Sequence, residues 1–153
     1  MKKIFIACPI SKYLNKNEFT NRDFKEYIQG IHSICKRYTD NVFFALEREK
    51  FGLNRMEDHV CTKLDYYEMI DSDIVVVIPE DSQGVAVEVG WASAMKKNII
   101  MILDECFSTS PLINAINEVT DAKVIKTSSN NGYSVAKELV YEELKKQLSM
   151  IEF

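Results

Sequence analysis

Residues 74–78 read Ile-Val-Val-Val-Ile, five β-branched side chains in a row, closed by Pro79. A strand sends successive side chains to opposite faces, so an unbroken apolar run needs both faces covered. Such a strand belongs in the middle of a parallel sheet with helices on either side. Its surroundings agree. Residues 4–8 form a second apolar run ending at Pro9, residues 42–46 and 99–103 read as further strands, and residues 124–125 as a brief fifth. Between them, Phe24, Tyr27, Ile28, Ile31, Ile34, Cys35 and Tyr38 recur at helical spacing. Val60, Leu64, Tyr67 and Ile70 mark the apolar face of a second helix. Residues 84–97, 111–119 and 134–151 read as a third, a short fourth and a long closing helix. The expected fold is one doubly wound α/β domain over residues 1–153, Rossmann- or flavodoxin-like, with a parallel sheet of about five strands. Ligands of such sheets bind at the carboxyl ends of the strands, beside the switch in strand order. The segments after Cys8, Leu46 and Ile78 are therefore expected around one pocket.

Composition narrows the function classes. A net charge of −4 and an isoelectric point near 5.3 argue against a general nucleic-acid binder. Cys8, Cys35, Cys61 and Cys106 lie far apart with no Cys-x-x-Cys pair, the pattern of reduced thiols in a cytoplasmic protein. No apolar run approaches the ~20 residues of a membrane span, and the one after Met1-Lys2-Lys3 is too short for a signal peptide. His32 and His59 lack metal-ligand company and read as ordinary helix or loop residues. Gly-x-Gly-x-x-Gly, the Walker loop and the Gly-x-Ser-x-Gly elbow are all absent.

The informative stretch is Asp81-Ser82-Gln83-Gly84-Val85-Ala86-Val87-Glu88-Val89-Gly90-Trp91-Ala92, which follows the central strand and opens a helix. Ser82 suits an N-cap, where its hydroxyl and nearby free N–H groups can hold an anion. Gly84 leaves room for a ligand to approach the backbone. Glu88 sits about one turn inside, among Val85, Val87 and Val89. A carboxylate there either serves a ligand or merely favours the helix dipole while facing water, and residue physics alone leaves both open.

At these residues the chain resembles the nucleoside 2-deoxyribosyltransferase family and its sister nucleoside 5'-monophosphate N-glycosidases, including those acting on CMP and 5-hydroxymethyl-CMP. Three blocks carry the likeness: Ile4-Phe5-Ile6-Ala7-Cys8-Pro9-Ile10-Ser11, the Asp65 to Asp73 spacing, and Ser82-x-Gly-Val-x-x-Glu88-x-Gly-x-Ala. The third is the specific one. The resemblance implies double displacement, with Glu88 as the nucleophile on the anomeric carbon and Asp65 as proton donor or orienting group. It implies a substrate-binding set of Cys8, Pro9, Ile10, Ser11, Ser82 and Gly84, with Asn114 sent into a neighbouring subunit's site; Glu47, by its place after the second strand, is a further candidate contact to base or sugar. The resemblance implies no metal or organic cofactor, a small nucleotide or nucleoside as substrate, and a homodimer or dimer of dimers with shared active sites.

Two departures stand out. Where relatives often carry a tyrosine that orients the nucleophile, this chain has Phe5, leaving Tyr66 or Tyr13 as candidates. Where the nucleotide-cleaving branch tends to have an arginine, it offers Ser11 and Lys12. Ser82 favours a 5'-monophosphate and hydrolysis; Asn114 leans towards base exchange on unphosphorylated deoxynucleosides. A non-catalytic nucleotide-sensing module is the third reading. Trp91, Phe44 and Tyr13 are candidate base-stacking platforms, although each suits core or interface as well. Lys12 and Arg48 are candidate screens for a phosphate, with the solvated surface as the plainer reading.

Overall fold

Strand β5 (Ile74–Val77) is hydrogen-bonded on both edges in the computed structural model, which describes residues 1–153. One neighbour is β1 (Ile4–Ala7), paired Ile4 to Ile74 through Ala7 to Val77; the other is β6 (Asn98–Asp104). With β4 (Val42–Phe44) and β7 (Ala122–Thr127) they form a five-stranded parallel sheet ordered β4-β1-β5-β6-β7. This is the flavodoxin-like order, in which the winding reverses between β1 and β5.

The alternation of β5 explains both layers. Ile74, Val76 and Ile78 join Ile4 and Ile6 beneath α1 (Arg22–Cys35) and α6 (Tyr133–Ser149). Val75 and Val77 join Phe5 and Ala7 beneath α3 (Asp58–Asp71) and α4 (Gln83–Ala94), meeting Met69, Val85, Val89 and Ala92. All five residues from Ile74 to Ile78 are buried. Fully burying one such side chain contributes roughly 1.5–3 kcal/mol, so the run is a large share of the core.

Several expected elements change shape. The strand over 42–46 stops at Phe44, and Ala45–Arg48 turns into the short helix α2. Ala-Leu-Glu-Arg are good helix formers, and the turn buries Ala45 and Leu46 while freeing Glu47. The helix over 111–119 splits into α5 (Pro111–Asn114) and a 3-10 turn, Ile116–Glu118. β7 is longer than the 124–125 core, because its flanks carry the lysines that suit an edge strand. The polar stretch after Ser11 holds a 3-10 turn, Ser11–Tyr13, and the small hairpin of β2 (Leu14–Asn15) and β3 (Glu18–Phe19).

The largest correction concerns α3. Val60, Leu64, Tyr67 and Ile70, expected as its inward face, are between 39% and 55% exposed, and Met69 is the buried residue of this helix. Inward packing uses Met69 and the Asp65 side, which leaves the apolar stripe in the open. No helix is long and apolar enough to cross a membrane. All four cysteines are free thiols.

Candidate active site

The loops after β1 and β5 diverge at the reversal point and leave a cavity of about 670 Å³. Cys8, Ile10, Ser11 and Lys12 supply one wall, and Cys61, Thr62 and Asp65 of α3 another. The third runs from Asp81 through Ser82, Gly84 and Glu88 to Trp91.

Glu88 reaches this cavity because of where it falls on α4. Val85, Val89 and Ala92 are the helix's buried residues, and Glu88 shares their stripe at three- and four-residue spacing. Its carboxylate receives no hydrogen bond from the protein. Burial pushes its pKa up to about 8, and the negative charge of Asp65 adds to the rise while Arg48 opposes it. The Cys8 thiol is pushed upward too, by burial first and then by Glu88 and Glu80, so it lines the site as a neutral group.

Asp65 is held by Arg48, whose Nη1 donates to Oδ1 at 2.7 Å with both side chains largely buried. Burial raises the Asp65 pKa and the Arg48 contact counters that rise. Glu49 lies 3.9 Å from Arg48 Nη2, so two carboxylates share this cation beside the cavity.

The other end of the cavity is built for a polar group. Ser82 caps α4, its hydroxyl accepting from Val85 N at 3.3 Å. The backbone N–H groups of Gln83 and Gly84 have no acceptor within the chain, an arrangement that could hold an anion. A Cβ at Gly84 would meet nothing nearer than Ser82 Oγ at 3.9 Å, so the approach to this backbone is open. Lys12 Nζ lies here, 2.6 Å from Glu80 Oε1 and 2.7 Å from Asp81 Oδ1, and 4.2 Å over the Phe107 ring. Glu80 is 3% exposed and also accepts from Tyr13 at 2.7 Å and Tyr133 at 2.5 Å. The Lys12 charge is therefore already matched by two carboxylates.

The nucleoside 2-deoxyribosyltransferase family matches this sequence over residues 13–145, most of the chain. The chain belongs to this family. Among solved structures, the CMP N-glycosidase BcmB of Clostridium botulinum is 23% identical with a TM-score of 0.70, covering 95% of this chain and 99% of its own. BlsM, solved in solution, is 25% identical with a TM-score of 0.69, covering 95% and 90%. A conserved protein from Enterococcus faecalis V583 follows at 18% identity and a TM-score of 0.55, covering 96% and 99%. No curated protein sequence matches significantly.

For this nucleoside 2-deoxyribosyltransferase family member, the fold brings Glu88, Asp65, Ser82, Gly84, Cys8, Ile10 and Ser11 together around one cavity. Pro9 shapes the loop without lining the cavity. Glu47 lies elsewhere, its Oε2 3.5 Å from His32 Nε2, because the early start of α2 turns it away. Asn114 bonds with Thr109 beside a separate hollow bounded by Asp104 and Phe107. Neither tyrosine proposed to orient Glu88 is hydrogen-bonded to it: Tyr13 holds Glu80, and Tyr66 packs edge-on against Trp91 at 5.1 Å. Of the three stacking candidates, Trp91 lines the cavity, whereas Phe44 and Tyr13 belong to the core. Lys12 and Arg48 are both ion-paired rather than freely solvated. His59 is an exposed helix residue.

The sequence reading missed Glu80, Tyr133 and the pairing of Arg48 with Asp65. Glu80 directly follows the strand-ending Pro79, a weak local signal. Tyr133 lies 53 residues from Glu80 and gives none.

Proposed function

We propose that this protein hydrolyses the N-glycosidic bond of a nucleoside 5'-monophosphate, releasing free base and sugar 5-phosphate. The observation that carries the reading is the Glu88 carboxylate, turned inward from α4 without a protein donor, in a cavity it shares with Asp65. A Glu88 oxygen attacks C1', the bond from C1' to the base nitrogen breaks, and the base leaves with the electron pair and takes up a proton. Water then cleaves the glycosyl ester and regenerates the carboxylate. Positive charge develops at the sugar in the transition state, which favours an ionised Glu88 at that moment. The capped start of α4, with Ser82 and two free N–H groups, is the proposed seat of the phosphate. Trp91 is the proposed platform for the base.

One observation favours base exchange on unphosphorylated deoxynucleosides instead. Glu80 and Asp81 both engage Lys12, so the phosphate end carries more negative than positive charge, which suits a 5'-hydroxyl. Incubation with CMP, dCMP, dGMP and deoxycytidine plus adenine separates the readings. Base release from monophosphates alone supports hydrolysis; exchange from nucleosides overturns it in favour of transfer.

The assembly belongs to the same proposal. The open stripe of Val60, Leu64, Tyr67 and Ile70 on α3, with exposed Val87 one residue before Glu88, supports a homodimer meeting beside the cavity mouth. In such a pair a second copy would help to close the site, and Asn114 would face the partner's cavity.

A further inference from the structure

Arg48 does not line the cavity, yet it is the cation clamped beside it. Its Nη1 is bonded to Asp65, its Nη2 is 3.9 Å from Glu49 Oε2, and its guanidinium carbon lies 5.2 Å over the Phe43 ring. Nε and Nη2 are sealed from solvent with no hydrogen-bond partner. A cation in such surroundings loses hydration that one neutral neighbour could not replace, so it needs negative charge close by. Asp65 supplies one such charge. Glu49 supplies a second at the longer Nη2 contact, and Asp65 lines the same cavity as Glu88, to which no protein group donates.

We infer that Arg48 is the positioning residue of this site, fixing Asp65 and, through that pair, setting the charge state in which Glu88 waits for substrate. The inference rests on the glycosidase reading for its catalytic meaning, but its physical content can be tested without turnover. With Arg48 paired to Asp65, the negative charge of the pair is compensated and Glu88 can ionise within a workable pH range. Without Arg48, two buried carboxylates would face each other uncompensated, and the more deeply placed one would keep its proton. The titratable neighbours that complete this field are Glu49 beside Arg48, Glu68 near Asp65 on α3, and Cys8 at the end of β1. Because the groups are coupled, a change in one must appear in the titration of another.

The experiment is a carbon NMR titration of the Glu88 carboxyl in the full chain, paired with the pH profile of kcat/KM for base release from CMP or dCMP. In the wild type both are expected to titrate near pH 8. Arg48→Met keeps the aliphatic stem and removes the charge. It should move the Glu88 titration and the acid limb upward by at least about one unit, so that kcat/KM at pH 7 falls by about tenfold for each unit. Activity should return at higher pH, and Arg48→Lys should restore part of the shift. An unmoved Glu88 titration in folded Arg48→Met overturns the inference, as does a loss of kcat/KM that is equal at every pH. Should Arg48→Met fail to fold, Asp65→Asn supplies the second arm. It removes the like charge, so Glu88 must titrate lower, and an unchanged midpoint refutes the coupling. A shifted Glu88 titration with no base release from any nucleotide upholds the charge coupling and sinks the glycosidase reading alone.

Discussion

Glu88 pays for its placement in stability, and the sign of that cost can be measured. Its folded pKa is raised to about 8 from an ordinary 4.5, so between those values the native state binds more protons than the unfolded chain. Stability from this group is complete below the unfolded value and is lost as pH rises through 8. Glu88→Gln should therefore raise the melting temperature by several degrees at pH 8.5 and change it little at pH 4.5. The same variant should lose base release by at least about a thousandfold, since an amide is no nucleophile. Equal melting shifts at both pH values would contradict the buried-carboxylate account. The placement of Glu88 was legible in the sequence because a single carboxylate interrupted a run of valines at a helix start. Arg48 was not, because its meaning comes from Asp65, 17 residues on, and from a helix that the pattern had taken for the end of a strand.

At the scale of elements, the start of α4 depends on the segment before it. Glu80 adopts a positive φ of 44°, unfavourable for a side-chain-bearing residue, and is held there by Tyr13, Tyr133 and Lys12. Burial, then Glu80, pushes the Tyr133 phenol well above its usual range, so it remains a protonated donor. Tyr133→Phe removes that donor from a buried carboxylate and should cost about 1–3 kcal/mol in urea unfolding. A variant as stable as the wild type would show that Glu80 is held by the remaining contacts. Ser82→Ala removes the cap of α4, at about 1 kcal/mol. On the proposed reading it should also raise KM for a nucleoside monophosphate about tenfold or more, while leaving kcat for the reacting bond less affected. An unchanged KM would remove the phosphate from this helix start. The caps and strands were readable because their signals are local: a serine before a helix, or β-branched runs closed by proline. The Glu80 cluster joins residues 13, 80 and 133, and no local pattern reports it.

For the whole molecule, a doubly wound parallel sheet of about five strands followed from one buried strand and from the alternation of strands with helices, and the strand order came with the structure. What the pattern could not supply was the destination of the apolar face of α3. Periodicity says that a helix has such a face; it does not say whether sheet, solvent or a second copy covers it. On the proposed assembly the parent chain should sediment as a dimer and Leu64→Asp with Tyr67→Glu as a monomer, with Glu88-dependent turnover reduced in step. A parent chain that sediments as a monomer at micromolar concentration would leave the exposed stripe without the proposed partner.

The proposed reaction passes through a covalent bond between a sugar carbon and the Glu88 carboxylate, which mass spectrometry of trapped protein can detect. Incubation with a 2'-fluoro nucleoside 5'-monophosphate, which slows release of the ester, followed by acid quench and peptide mapping, should place one sugar phosphate on the peptide that contains Glu88. An adduct on another residue, or base release that persists in Glu88→Ala, would contradict the account.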